Sequence, residues 1–175
     1  LSSMFLLFGC TPPNLTSQEI NTPLDKTAIS ATAGAPLFDG MGQHQHPITT
    51  KVPAAQLYFD QGSVLAFGFN HAEAIRSFEA AQRLDQGGAM CVWGEALATG
   101  PNINVTSNGK AVMSNGDRKS AYAALLQALA LKAKVSIAEQ GYIDALATRY
   151  DGDPESDRTL LDIAYANAMR ELTQK

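Results

Sequence analysis

The stretch from Ala55 to Gln86, AAQLYFDQGSVLAFGFNHAEAIRSFEAAQRLDQ, limits what the whole chain can fold into. Gly62 and Ala74 are small enough to let two antiparallel helices approach closely, and Phe78 is large enough to fill the space beside them. Asn70 reads as an N-cap and Glu73, three residues on, as the other half of a capping box, so a helix is expected from His71. Ala74, Ile75, Phe78, Ala81 and Leu84 then recur at helical spacing as one apolar stripe, which the Gly87-Gly88 pair stops. Pro53 suits the first turn of the preceding helix, which is expected to end near Gly68.

The same spacing returns further on. Met90, Trp93-Gly94 and Leu97, within Ala89 to Gly100, match Tyr58, Gln61-Gly62 and Leu65. Residues 101–117 are polar with two Asn-Gly pairs and read as a long inserted loop. Helix is expected to resume near Arg118 and run to about Lys134, with Ala121, Leu125 and Ala128 echoing Ala74, Phe78 and Ala81. In a third pair, Ser136 and Glu139 form a capping box and Ile143, Leu146, Ala147 and Tyr150 the stripe. Asp153 reads as N-cap and Pro154 as first residue of a last helix carrying Leu160, Leu161, Ala164, Tyr165, Ala168 and Leu172. The expected fold is all-α: about three helix pairs over 37–175, stacked as an α-solenoid. Such stacks close with an atypical polar repeat, and none is read before Lys175, so the natural protein is expected to continue beyond it.

Charge and hydropathy narrow the partners. A formal charge of −4 with scattered basic residues argues against nucleic acid. No apolar run approaches the ~20 residues that cross a bilayer. Gly40, Gly42 and Pro47 make Leu37 to Val52 a loop. At the start, the apolar run Met4 to Phe8 followed by Gly9 and Cys10 resembles the end of a bacterial lipoprotein signal peptide, whose lipobox closes on the lipid-bearing Cys. That implies lipidation at Cys10, membrane contact through this anchor alone, and a place in the bacterial cell envelope, lipid-anchored on the periplasmic side or secreted. Residues 11–36, with many Thr, Pro, Ser and Asn, read as a flexible, disordered tether.

Phe38-Asp39-Gly40, Gln45-His46-Pro47-Ile48-Thr49, Phe59-Asp60-Gln61-Gly62, Gly68-Phe69-Asn70-His71, Ala89-Met90-Cys91 with Trp93-Gly94, and Gly100-Pro101-Asn102-Ile103-Asn104 carry a resemblance. On them, Leu37 to Lys175 resembles a group of bacterial tetratricopeptide-repeat (TPR) proteins with longer chains. Gln61, Leu65 and Gln86 depart from the usual residues of the repeat. The resemblance implies a helical-repeat scaffold and little about a reaction. Members of the group often carry Cys-x-x-Cys before the Trp-Gly pair; Gly88 stands there instead, leaving Cys91 without a paired thiol.

The leading expectation is a non-catalytic scaffold for protein–protein interaction, with a protein or peptide partner and no cofactor. Its candidate binding residues are His44, His46, His71, Trp93, Asn102 and Asn104. The alternative is an envelope redox protein holding a metal or haem on His44, His46, His71 and Cys91. In an extended segment His44 and His46 point to the same side, and helix stacking could bring His71 near Cys91. Against it, His71 can complete a turn and Cys91 can serve as a small buried hydrophobe. The run Asp151, Asp153, Glu155 and Asp157 lacks calcium-loop spacing and reads as acidic residues at a helix start. No nucleophile elbow surrounds a serine, so no catalytic residue is assigned. Tyr58, Phe59, Phe67, Phe69 and Trp93 are expected in the core.

Overall fold

The computed structural model describes residues 24–102, 104, 106–107, 110–111, 113–153 and 155–174. The lipobox, Cys10 and the tether up to residue 23 lie outside them. Among the described residues there are seven α-helices: α1 (Lys26–Ala33), α2 (Pro53–Phe67), α3 (His71–Leu84), α4 (Ala89–Thr99), α5 (Asn115–Leu131), α6 (Ile137–Ala147) and α7 (Arg158–Leu172). Two strands of two residues each, β1 (Thr106–Ser107) and β2 (Lys110–Ala111), pair antiparallel between α4 and α5. Each helix from α2 onward packs on the next, α1 lies on α3, and α4 also touches both α2 and α6. No described helix is long and apolar enough to cross a membrane.

Phe78 of α3 is the central wedge. Its ring is buried, and a Cβ placed on Gly62 of α2 would lie 2.8 Å from Phe78 Cε1, while one on Gly94 of α4 would lie 2.4 Å from Cδ1. The two glycines at matching positions of α2 and α4 thus both make room for the Cδ1–Cε1 edge of one ring, which sets how closely three helices stack. Gly141 of α6 plays a similar part later on: a Cβ there would meet Leu172 Cδ1 of α7 at 2.5 Å.

Capping fixes most boundaries where the sequence put them. Ser136 and Glu139 form the full capping box of α6. At α3 only half of the expected box exists. Asn70 Oδ1 accepts from the Glu73 N–H at 3.4 Å, but the Glu73 carboxylate turns to Arg76 at 2.9 Å, an i,i+3 ion pair. The turn before it also differs from the usual glycine cap. Phe69, not Gly68, takes the left-handed φ of +63°, and its N–H and that of Asn70 return to Ala66 O and Leu65 O.

Three other expectations are corrected. Within the stretch read as tether, 26–33 fold as α1, capped by Asp25 and closed by Gly34 at φ +69°. Its anchors come from far away: Arg83 Nε donates to Ala33 O at 2.6 Å and Tyr58 Oη to Ala35 O at 2.5 Å. The last helix starts at Arg158 with Asp157 as N-cap, not at Pro154. Asp151 and Asp153 instead accept N–H groups two residues on, of Asp153 and Glu155, and so hold the chain in turns. In the inserted loop, the second Asn-Gly pair, Asn115-Gly116, opens α5 behind the Ser114 cap rather than making a turn.

A candidate binding groove

A hollow of about 380 Å³ runs along one side of the stack. Phe59, Ser63, Ala66 and Phe67 of α2, Trp93 and Leu97 of α4, Tyr142 of α6, and Tyr165 and Met169 of α7 line it, with Phe78 at its base. His44 and His46 close it from the loop 37–52. His46 lies 6.0 Å from the Phe59 ring and 5.9 Å from Tyr142, whose ring is in turn 5.8 Å from Trp93. Trp93 Nε1 donates to Tyr142 O at 3.0 Å, so its one polar atom is satisfied inside the wall and the ring faces stay free for apolar contact. Arg149 sits over Tyr165 with Cζ 4.9 Å from the ring centroid.

The loop 37–52, here called the strap, has no strand or helix of its own, yet its main chain is held by side chains of the stack. Gln61 of α2 accepts from Phe38 N–H at 2.8 Å and donates to Pro36 O and Ser77 Oγ, both at 3.0 Å. Gln61 thereby ties the strap and the residue before it to α2 and α3. Asp60 Oδ1 accepts from His46 N–H at 2.8 Å. Gln56 donates to His46 O and accepts from Ile48 N–H, each at 2.9 Å. Thr50 Oγ1 donates to Asp85 Oδ2 at 2.6 Å.

The far end of the strap reaches α6. Thr49 N–H donates to Glu139 Oε1 at 2.6 Å, and the Thr49 hydroxyl donates to Oε2. Glu139 also accepts from the Ser136 N–H at 2.9 Å and the Ser136 hydroxyl at 2.6 Å. Burial of this carboxylate pushes its pKa up, but the hydrogen bonds from Ser136 and Thr49 outweigh burial and hold it below the usual carboxylate value.

The structure separates the residues singled out as a metal or haem set. His44 and His46 share the groove, as expected of alternate residues in an extended segment. His71 is elsewhere. Because α3 and α4 run antiparallel, His71 at the start of α3 faces the end of α4 and lines a second hollow of about 440 Å³ with Thr99, Asn102, Met113, Ser114 and Asp117. Both of its ring nitrogens are buried without a hydrogen-bond partner. Cys91, in the first turn of α4, lies at the opposite end of that pair, where Gln82 Nε2 donates to its carbonyl at 3.4 Å. So the expected approach of His71 to Cys91 does not occur. Cys91 is fully buried, and burial, helped by the Asp85 carboxylate, pushes its thiol pKa up to about 12. Among the described residues no group of three or more His, Cys, Asp or Glu side chains is placed to hold a metal ion.

Of the other candidates, Trp93 stands in the groove, Asn102 lines the His71 hollow, and Asn104 is exposed with its N–H on Asn102 Oδ1 at 2.8 Å. Core placement holds for Tyr58 and Phe59 but not for Phe67 and Phe69, which are 79% and 55% exposed near the end of α2. Tyr142, Tyr165 and Met169 were not expected in a site. Polar Gln56, Asp60 and Gln61 on an otherwise apolar helix were a readable sign that α2 holds something polar. No family model, curated protein or solved structure matches the chain.

Proposed function

We propose that this chain is a non-catalytic helical-repeat scaffold of the TPR type, and that its groove binds a segment of a protein partner. The observation that carries this reading is the groove itself: aromatic and aliphatic side chains from α2, α4, α6 and α7 converge on one concave strip, and Phe67 stands 79% exposed at its side. A solvent-exposed aromatic beside a preformed apolar strip is the arrangement that buries large area at small entropic cost when a peptide docks. The repeat reading is supported by the matching use of Gly62 and Gly94 against Phe78 and by the successive packing of α2 to α7. Lipid attachment at Cys10, and with it a place at the bacterial cell envelope, rests on the sequence between Met4 and Cys10.

Peptide display against the purified protein and its Phe67→Glu variant tests the reading. Wild type is expected to enrich a common apolar motif, and the variant to bind the same peptides at least about tenfold more weakly with unchanged circular dichroism, as loss of an aromatic anchor does. Equal binding by the two proteins, or no enrichment by either, counts against the groove.

A further inference from the structure

The strap already behaves as a peptide bound along the stack, at the edge of the groove that His44 and His46 close. From His46 to Thr50 its residues alternate in burial: His46 half-buried, Pro47 exposed, Ile48 buried, Thr49 exposed, Thr50 half-buried. That is the pattern of an extended chain with one face against a surface. Its main-chain groups find no backbone partner there. Gln56 takes the C=O of His46 and the N–H of Ile48, Asp60 takes the N–H of His46, and Glu139 takes the N–H of Thr49. Side-chain amides and carboxylates that grip a main chain in this way accept any extended segment of fitting side chains, because a main chain is common to all sequences.

We propose that residues 46–50 are an intramolecular occupant of a main-chain track on α2 and α6 at the edge of the groove, and that the partner is an extended polypeptide with an apolar residue followed by Thr or Ser, which displaces them. This rests on the groove being a peptide site. The apolar residue takes the place of Ile48, and the hydroxyl takes that of Thr49 on Glu139. The strap thereby sets a threshold: a partner binds only when its contacts exceed those the strap makes at high effective concentration. Trp93, the one tryptophan of the chain, stands in the groove beside Tyr142, which His46 covers, and so reports whether the strap is in place.

The test uses a labelled peptide of residues 42–52 added to the whole protein, read by fluorescence anisotropy, with acrylamide quenching of Trp93 alongside. The double variant His46→Ala, Thr49→Val weakens the strap and leaves every helix untouched. It is expected to bind the peptide at least about tenfold more tightly than wild type does and to show greater Trp93 quenching. Adding Glu139→Gln, which keeps the α6 cap, is expected to remove that gain. Should the double variant lose helical signal, Thr49→Val alone gives the same contrast. Peptide binding no tighter in the strap variants than in wild type overturns the proposal. If display-selected peptides bind both proteins equally well and remain sensitive to Phe67→Glu, the strap is a fixed wall and the groove keeps its role.

Discussion

Replacing Gly94 with Ala tests the packing on which the stack depends. The added methyl would lie 2.4 Å from both Cδ1 and Cε1 of Phe78 and 2.8 Å from Cγ, against the edge of a buried ring that Gly62 also confines. Overpacking of this kind costs about 1–3 kcal/mol, and contacts this short against a buried ring belong to the upper half of that range. Ala recovers about 1 kcal/mol over Gly in a helix interior. The net expectation is destabilisation by about 1–2 kcal/mol, or a fall of about 2–8 °C in melting temperature for a chain of this size. At Gly62 the nearest atom of the same ring is 2.8 Å away rather than 2.4 Å, so the overpacking is milder and Gly62→Ala should come out within about 1 kcal/mol of wild type. Urea denaturation of Gly94→Ala, Phe78→Leu and the double variant then gives a coupling energy. The smaller Leu makes room for the methyl, so the double variant should be more stable than the sum of the singles by about 1 kcal/mol or more. If Gly94→Ala is stabilising, or if the cycle is additive within about 0.5 kcal/mol, Phe78 is not the wedge and the shared role of the two glycines fails.

Three further outcomes are expected. Phe69 holds φ at +63°, which strains a bulky side chain, so Phe69→Asn should raise stability by about 0.5–1 kcal/mol in urea titrations, since Asn visits that region more readily. The Glu139 carboxylate titrates below its unfolded value near 4.5, so its contribution is present at neutral pH and is lost as pH falls through the lower, folded value. The stability gap between wild type and Glu139→Gln should therefore be constant from pH 7 to about 5 and shrink progressively below about 4.5, as read from denaturation midpoints. With its thiol pKa raised to about 12 and no exposure, Cys91 should resist maleimide at pH 8 in the folded protein and react promptly in denaturant, as peptide mapping would show.

The helices were legible because their signals are local. The stripe from Ala74 to Leu84 and the Ser136–Glu139 box depend on residues within a few turns of each other, and α3 and α6 begin where these put them. Helix α1 was not, because its eight residues carry no apolar stripe and are held by Tyr58 and Arg83, which arrive from the first helix pair. The site was half legible for the same reason. Trp93, His44 and His46 stood out as unusual residues, whereas Tyr165 looks like an ordinary stripe position and Tyr142 lies off the stripe of its helix until the packing of α4, α6 and α7 turns both toward a common hollow. The proposed meeting of His71 and Cys91 failed on helix direction: two residues near the starts of consecutive antiparallel helices lie at opposite ends of the pair.

Where helices pack mainly on their neighbours in sequence, as α2 to α7 do, contacts are largely local and an end can loosen before the middle does. The bond from Thr49 to Glu139 alters that, because it spans 90 residues and fastens the segment ahead of α2 to the first turn of α6. Closing so long a loop costs only about 0.6 kcal/mol more than closing one half its length, so the clasp is entropically cheap for the distance it covers. Once it is shut, α6 cannot swing away from α4 without pulling the strap off α2. Loss of order at α6 is then expected to be felt at α2, and the middle of the molecule to melt as one unit.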